Sequence, residues 1–289
     1  MLYVGLLILY GSFGLLPSRP MTAFAGWLMR TIGPHLAEHQ IGCDNLRHAF
    51  PDKDDTARAA ILSEAWTNLG RVGAEFLYLA RWGSAYSENV AAINIDERTA
   101  AQFRELHDKK TGALVFAAHL GNWELPAIAA HAAGLQTVLL FRRPSVRAVA
   151  RLIQAIRTSS MGELVASGLS APVVLARAAA QGKYVGMLVD QHERKGVPVA
   201  FFGRMCFANP LIALLARQCA APIHGVRSVR LKNGQYSLEM TPPIDPVRDD
   251  RGDIDVAATM QRITGVIENW VRENPGQWLW VHRRWRDVP

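Results

Sequence analysis

Ala113-Leu-Val-Phe-Ala-Ala118, followed at once by His119-Leu-Gly-Asn-Trp-Glu124, is the stretch that decides the fold. Its apolar opening, preceded by Gly112, reads as a short buried strand. Asn122 can cap a helix that runs to about Ala133, and Gly134 can end it. A strand, a tight turn and a helix are the opening unit of an α/β sheet.

Further along the chain the alternation continues. Residues 137–141, 184–189, 223–229 and 236–240 read as strands. Residues 146–157, 171–181, 211–220 and 255–273 read as helices. Such alternation indicates a sheet covered by helices on both faces. Upstream, Ile61, Ala65, Leu69, Val72, Phe76 and Leu79 recur at helical spacing, which predicts a helix over 56–82. Asp54 and Asp55 sit at its N-cap and Gly83 at its end.

The chain of 289 residues can bury a substantial core, and its 49% hydrophobic content fits a folded protein. Residues 1–16 carry no charge and are almost entirely apolar, and Pro17 stops the run. A helix there would be roughly 24 Å long against a hydrocarbon core of roughly 30 Å, marginal for spanning. Arg19 and Arg30 come next, with Met21, Phe24, Trp27, Leu28 and Met29 between them. Basic residues just beyond an apolar run favour a cytoplasmic side for the chain after it. The segment lacks a basic leader and a small-residue cleavage site, which argues against a removed signal peptide. Residues 1–34 are therefore expected to form membrane-anchoring or interfacial helices, and residues 35–289 a single α/β domain.

A net charge of +7 attracts polyanions: nucleic acid, acidic carrier proteins or anionic lipid headgroups. Cys43, Cys206 and Cys219 are odd in number and widely spaced, which argues against a disulfide framework and for a reducing compartment.

The chemistry is expected at the turn. His119 directly follows a strand, and ligands of open α/β sheets bind outside the carboxyl ends of strands. Glu124 falls in the first turn of the next helix, where the helix dipole favours a carboxylate. Leu120-Gly121-Asn122 can fold the chain so that Glu124 reaches back to one nitrogen of His119. An anionic carboxylate there would hold one tautomer, leaving the other nitrogen free to take a proton from a hydroxyl. The bland alternative is a structural histidine, and the placement after a buried strand weighs against it.

Other candidates carry a bland reading beside the functional one. Asp190 and His192 follow the 184–189 strand and could line the same crevice, or simply cap a strand end. Arg142, Arg143, Arg147, Arg151 and Arg157 form a basic run suited to lipid phosphates or an acidic carrier; Arg147 and Arg151 equally suit a solvated helix face. Arg283, Arg284 and Arg286 beside Trp278, Trp280 and Trp285 suit a membrane interface. His35 and His39 lack further metal-ligand partners and read as surface histidines. No G-x-S-x-G, G-x-G-x-x-G or Walker pattern occurs, and no nucleic-acid fold signature is present.

Several blocks, in order, carry a resemblance. Ala117-Ala-His119-Leu-Gly-Asn-Trp-Glu124 resembles the H-x₄-D/E motif of bacterial membrane acyltransferases. Asn45-Leu-Arg-His-Ala-Phe50-Pro51 is similar to N-L-x-x-A-F-P. Asn68-Leu-Gly-Arg71 with Glu75-Phe76 is similar to an N-x-G-R…E block. Phe141-Arg142-Arg143-Pro144 is similar to Y-R-x-P, with phenylalanine in the aromatic place and Val146-Arg147 where the pattern has Asn-Pro. Asp190-Gln-His192 leads into Phe201-Phe202-Gly203, and Trp280-Val-His-Arg-Arg284-Trp285 resembles the closing W-x-H-R-R-aromatic signature. Together they resemble the lipid A late acyltransferases, the lauroyl and myristoyl transferases.

That resemblance implies a glycerol-3-phosphate-acyltransferase-like α/β fold, a mixed sheet flanked by helices with an N-terminal hydrophobic membrane helix. It implies a place on the cytoplasmic face of the inner membrane, in contact with its lipids. It implies transfer of a fatty acyl group from acyl carrier protein to a hydroxyl of a 3-hydroxyacyl chain on a lipid A precursor, by direct attack on the thioester, with no cofactor and no metal. His119 and Glu124 become the catalytic pair. Arg142 is assigned to substrate phosphate or thioester contact, and Arg157, Asp190 and Asn122 to substrate binding. Two alternatives stand beside this: acyl transfer to another glycolipid or a lysophospholipid, and a non-catalytic membrane protein that binds lipid or nucleic acid.

Overall fold

The structure is a computed structural model that describes residues 16–79, 93–144 and 146–286. Among the described residues three α-helices come first: α1 (Ser18–Ile32), α2 (Glu38–Ala49) and α3 (Asp55–Phe76). The α/β body follows, with β1 (Ile93–Ile95), α4 (Glu97–Lys109), β2 (Ala113–Ala117), α5 (Leu125–Ala132), β3 (Thr137–Phe141), α6 (Arg147–Met161), β4 (Glu163–Ala166), α7 (Ala171–Ala180) and β5 (Tyr184–Leu188). A hairpin of β6 (Val197–Phe201) and β7 (Arg204–Ala208) precedes α8 (Leu211–Gln218). The chain closes with β8 (Ile223–Arg230), β9 (Tyr236–Met240), α9 (Val256–Glu273) and the 3₁₀ turn Pro275–Gln277.

The main sheet has seven strands in the order β1-β9-β8-β2-β5-β3-β4. β8, β2, β5, β3 and β4 run parallel, while β9 pairs antiparallel with β8, and β1 runs with β9. The sheet is mixed, as expected. The chain leaves β2 toward β3 on one side and β5 toward β8 on the other. The crevice outside the carboxyl ends of β2 and β5 is thus a topological switch point.

Alternation along the central strands feeds two layers. Leu114, Phe116, Val185 and Met187 are buried in the larger core with Leu175, Ile212, Leu215, Ile267 and Trp270 from α7, α8 and α9. The Phe116 and Trp270 rings stack at 5.6 Å. Ala113 and Tyr184 belong instead with Phe103 and Leu106 of α4 and Ala129 of α5.

The cap foreseen at Asp54 is formed: its side chain accepts from the Ala57 amide at 2.7 Å. Asp255, at the expected start of the last helix, accepts from the Ala258 amide at 2.9 Å. Asn122, expected to cap α5, stands before it instead: the N-cap is Glu124, whose amide donates to Asn122. The strands at Thr137–Phe141 and Tyr236–Met240 have the expected bounds. The strand β4 and the β6–β7 hairpin went unforeseen, being short and carrying only a few alternating positions each. The helix expected over 56–82 ends at Phe76, where Leu77 is its C-cap and a turn follows; residues 80–83, Gly83 among them, lie outside the described residues. All three cysteines are free thiols.

α1 packs closely on α3. A β-carbon on Gly70 would lie 2.2 Å from the Ala25 carbonyl oxygen, and one on Gly26 2.9 Å from Arg71 Cγ, so the two glycines set the crossing distance. α1 is amphipathic: Phe24, Trp27, Leu28 and Ile32 stay exposed beside Arg19 and Arg30. A membrane-spanning N-terminal helix gains no support, because no described helix is long and apolar enough to cross a bilayer. Residues 1–15 of the expected apolar helix lie outside the described residues.

The closing tryptophans need a correction too. Trp278, Trp280 and Trp285 are buried, and Arg284 is 1% exposed. Their indole N–H groups donate to Asp190 Oδ2, the Pro275 carbonyl and the Phe201 carbonyl. Arg284 donates to the Phe207 carbonyl, with its guanidinium 5.4 Å from the Phe201 ring centroid. An indole buries a large apolar area once its single donor has a partner, so the three tryptophans and Arg284 are core and not a membrane-facing patch, while Arg283 and Arg286 stay exposed.

Candidate active site

His119 stands two residues beyond the end of β2, and Asp190 two residues beyond the end of β5. Because Ala117 and Leu188 are paired in register, the two side chains emerge side by side. The His119 ring Nδ1 donates to Asp190 Oδ1 at 2.8 Å, and its backbone amide donates to Asp190 Oδ2, also at 2.8 Å. Trp278 Nε1 supplies a third donor at 2.8 Å. Burial by itself would raise the Asp190 carboxyl. The facing His119 imidazole and the three hydrogen bonds override it and hold the group down at about 2. Asp190 is therefore an anion at neutral pH, an acceptor that keeps the proton on Nδ1 and leaves the lone pair on Nε2. Gln191 Nε2 lies 3.4 Å from that nitrogen.

The expected contact between Glu124 and His119 is replaced by this pair. Gly121 adopts a left-handed conformation, φ 59°, in which a β-carbon would lie 2.0 Å from the Ser228 carbonyl oxygen. The turn so made sends the two side chains to different partners. Glu124 takes Arg157 of α6 in a two-point ion pair, with Nε at 3.0 Å from Oε2. The Arg157 guanidinium also lies 5.6 Å from the Phe76 ring centroid.

A cavity of about 700 Å³ opens at His119 and runs back along the face of the sheet. Trp123, Glu124, Arg142, Arg157, Gln191, His192, His282 and Arg286 surround its polar end. Deeper, β2 gives Val115 and Ala117, β3 gives Thr137 and Leu139, and β5 gives Tyr184, Gly186 and Leu188. Ala127, Ala130 and Met161 face them from the helices. The registers Val115–Gly186–Leu139 and Tyr184–Thr137 make these rows that step down the sheet. From Leu188 to Tyr184 is roughly 13 Å at about 3.3 Å per residue. Gly186, Ala127 and Ala130 leave the space, and Phe103, Leu106, Leu135 and Tyr184 line the far end, where the Tyr184 hydroxyl donates to the Leu106 carbonyl.

The sequence candidates divide between the cavity wall, the core and the surface. His119, Glu124, Arg142 and Arg157 line the cavity. Asn122 and Asp190, expected to bind substrate, are buried and hold protein groups instead. Asn122 Oδ1 accepts from the Glu124 amide at 3.2 Å, and Asn122 Nδ2 donates to Glu75 at 2.9 Å. Arg147 and Arg151 are exposed, which fits the solvated helix face. His39 accepts from the Trp66 indole at 3.1 Å, a structural role.

His282 is a site residue that spacing along the chain does not reveal. It lines the cavity, and its Nε2 accepts from the His192 amide at 3.1 Å. Burial lowers its imidazole to about 4, Asp190 opposing and His119, Arg284 and Arg286 reinforcing, so it is neutral at physiological pH. With Nε2 accepting, its proton resides on Nδ1. Only the W-x-H-R-R block marked this residue in the sequence.

A histidine–carboxylate pair opening on a long apolar cavity suits the deprotonation of a hydroxyl beside an acyl chain. The sequence model of the family described as bacterial lipid A biosynthesis acyltransferase matches residues 1–287. The chain belongs to this family. It is an acyltransferase, and its fold is the α/β sheet that the family resemblance implied. No curated protein matches the chain. Within this acyltransferase, the H-x₄-D/E motif supplies both sides of the site, its histidine paired with Asp190 and its glutamate with Arg157.

Proposed function

We propose that this acyltransferase moves a fatty acyl group from an acyl carrier protein thioester to a hydroxyl of a 3-hydroxyacyl chain on a lipid A precursor. The observation that carries the reading is the His119–Asp190 pair at the polar end of the apolar cavity. The acyl chain lies along the sheet face, from Leu188 toward Tyr184, with its thioester at His119. His119 Nε2 takes the hydroxyl proton as the acceptor oxygen attacks the thioester carbonyl. Asp190 stabilises the imidazolium. The tetrahedral adduct then collapses, the C–S bond breaks, and the thiolate leaves with the proton from His119. The products are an ester and a free thiol, and no covalent enzyme intermediate forms.

General-base assistance accounts for about 10²–10⁴ in rate, so positioning must supply much of the rest. Arg157, held by Glu124, and Arg142 and Arg286 place positive charge where a thioester oxygen or a lipid phosphate would sit. The exposed Phe24, Trp27, Leu28 and Ile32 of α1, with Arg19 and Arg30, suit the cytoplasmic surface of the inner membrane, continuing the uncharged residues 1–16.

Mass spectrometry of lipid A from cells with and without the gene tests this reading. An acyl-sized mass loss in the deletion strain, restored by the wild-type gene and not by His119→Ala, is expected. An unchanged lipid A in the deletion strain overturns the acceptor, and restoration by His119→Ala overturns the mechanism.

A further inference from the structure

Behind the site, and outside the cavity, lies a buried charge that the chemistry above does not use. Glu75, in the last turn of α3, has a side chain 5% exposed. It accepts from Arg230 Nη1 at 2.7 Å, Arg230 Nη2 at 2.9 Å, Tyr236 Oη at 2.6 Å and Asn122 Nδ2 at 2.9 Å. A buried ion pair adds little net stability, because desolvation offsets the attraction. What it does supply is direction. A carboxylate only accepts, so Asn122 must turn its NH₂ toward Glu75. Its Oδ1 then faces the Glu124 amide, 3.2 Å away.

The rest of the turn is held from the same side. Ser228 Oγ accepts from the Asn122 amide at 3.1 Å and donates to its carbonyl at 2.6 Å. Asn68 Nδ2 donates to the Gly121 carbonyl at 2.9 Å, and the Gly121 amide donates to the Gln277 carbonyl at 3.0 Å. Phe76, next in sequence to Glu75, packs on the guanidinium that Glu124 grips. Two consecutive residues of α3 therefore act on the turn and on its ion-pair partner.

We propose that Glu75 is a positioning residue for acyl transfer: anchored by Arg230, its carboxylate fixes the amide of Asn122 and, through it, the turn carrying His119 and Glu124. The inference rests on His119 acting as the base.

Turnover by the purified full-length protein, with an acyl thioester and a lipid A precursor, tests it. In Glu75→Gln one acceptor oxygen becomes an NH₂ group: on the Oε2 side it opposes Asn122, Tyr236 and Arg230, on the Oε1 side it opposes the Arg230 guanidinium, and either way the anchored carboxylate that fixes Asn122 is lost. The expected result is a fall in kcat of about 10- to 100-fold, the scale of a misplacement near 1 Å. KM stays within about threefold and the pH profile keeps its shape, since no proton-transfer group changes. The double variant Glu75→Gln/Asn122→Asp moves the carboxylate across the same contact. The introduced aspartate can then accept both from the introduced glutamine and from the Glu124 amide. This variant should recover most of the lost kcat while melting lower than wild type, because Arg230 has lost its carboxylate. A merely structural Glu75 would move melting temperature and kcat together.

Wild-type kcat in Glu75→Gln, or a double variant no faster than the single, overturns the proposal. If Glu75→Gln does not fold, Asn122→Ala decides, since it leaves the Glu75–Arg230–Tyr236 cluster whole: a reduced kcat supports the proposal and a wild-type kcat overturns it. His119→Ala is run alongside. A dead His119→Ala with a normal Glu75→Gln removes the positioning role alone, whereas an active His119→Ala removes the base itself.

Discussion

Asp190 Oδ1 lies 2.8 Å from His119 Nδ1, although 71 residues separate them in the chain. Neighbouring parallel strands ending in register bring them together, and neither residue leaves its strand end to meet the other.

From that contact, Asp190→Asn should lower kcat by about 10³–10⁴, the scale seen when a buried carboxylate no longer holds a histidine in the right tautomer. An asparagine can present an N–H to Nδ1 and so invite the proton onto Nε2, where the base must be free. Circular dichroism should show a folded protein. A kcat within tenfold of wild type would assign the orienting role elsewhere.

Much of the fold was legible because strand and helix periods differ and the caps are chemically explicit. Asp54 and Asp255 mark helix starts, and 137–141 and 236–240 read as strands with their observed bounds. The place of His119 at the mouth of the cavity was legible for the same reason: it follows a strand. Its partner was not, because spacing along the chain favoured Glu124, five residues away, and register between β2 and β5 is a tertiary fact. Asp190 was visible only as a strand-end carboxylate. The three tryptophans near the C-terminus misled in the opposite sense. Indoles beside arginines suit an interface or a core equally, and only the buried acceptors for their N–H groups decide.

Glu124 and Arg157 should behave as one unit. Each is partly or wholly buried, and removing either leaves the other's charge inside the site without its partner. Glu124→Gln and Arg157→Lys are each expected to lower kcat/KM by at least about tenfold, because lysine cannot reproduce the planar two-point contact. In the double variant the losses should fall well short of adding. Strict additivity in a double-mutant cycle would show that the two act independently.

His282 links the site to pH. Its ordinary value is 6.5, and burial brings it to about 4 in the folded protein. Between those values the unfolded chain binds more protons than the folded one, so stability rises with pH. The fold should be fully stabilised in this respect above about pH 6.5 and lose stability as pH falls toward 4. His48, His192 and His224 are lowered in the same direction. His282→Gln, whose Oε1 can take the place of Nε2 and accept from the His192 amide, should therefore make the slope of melting temperature against pH shallower without abolishing it. An identical slope in wild type and variant would contradict this.

Gly186 offers the sharpest test of where the acyl chain lies. It sits midway along β5, between Leu188 near His119 and Tyr184 at the far end. A β-carbon there would approach Leu139 Cδ2 to 2.7 Å, which the flexible end of a leucine can accommodate. Valine suits a strand, so Gly186→Val should fold while filling the middle of the cavity. If the chain runs along the sheet, long acyl thioesters are obstructed and short ones are not. The ratio of kcat/KM for short over long chains should rise by about 10-fold or more, since excluding a few methylenes at about 0.8 kcal/mol each exceeds the roughly 1.4 kcal/mol that a tenfold change requires. His119 is far enough along the row to be untouched, so short-chain turnover should stay near wild type. Unchanged kcat/KM at every chain length in a variant shown to fold would place the acyl group outside this cavity, because an obstruction halfway down a channel cannot slow a chain that never reaches it.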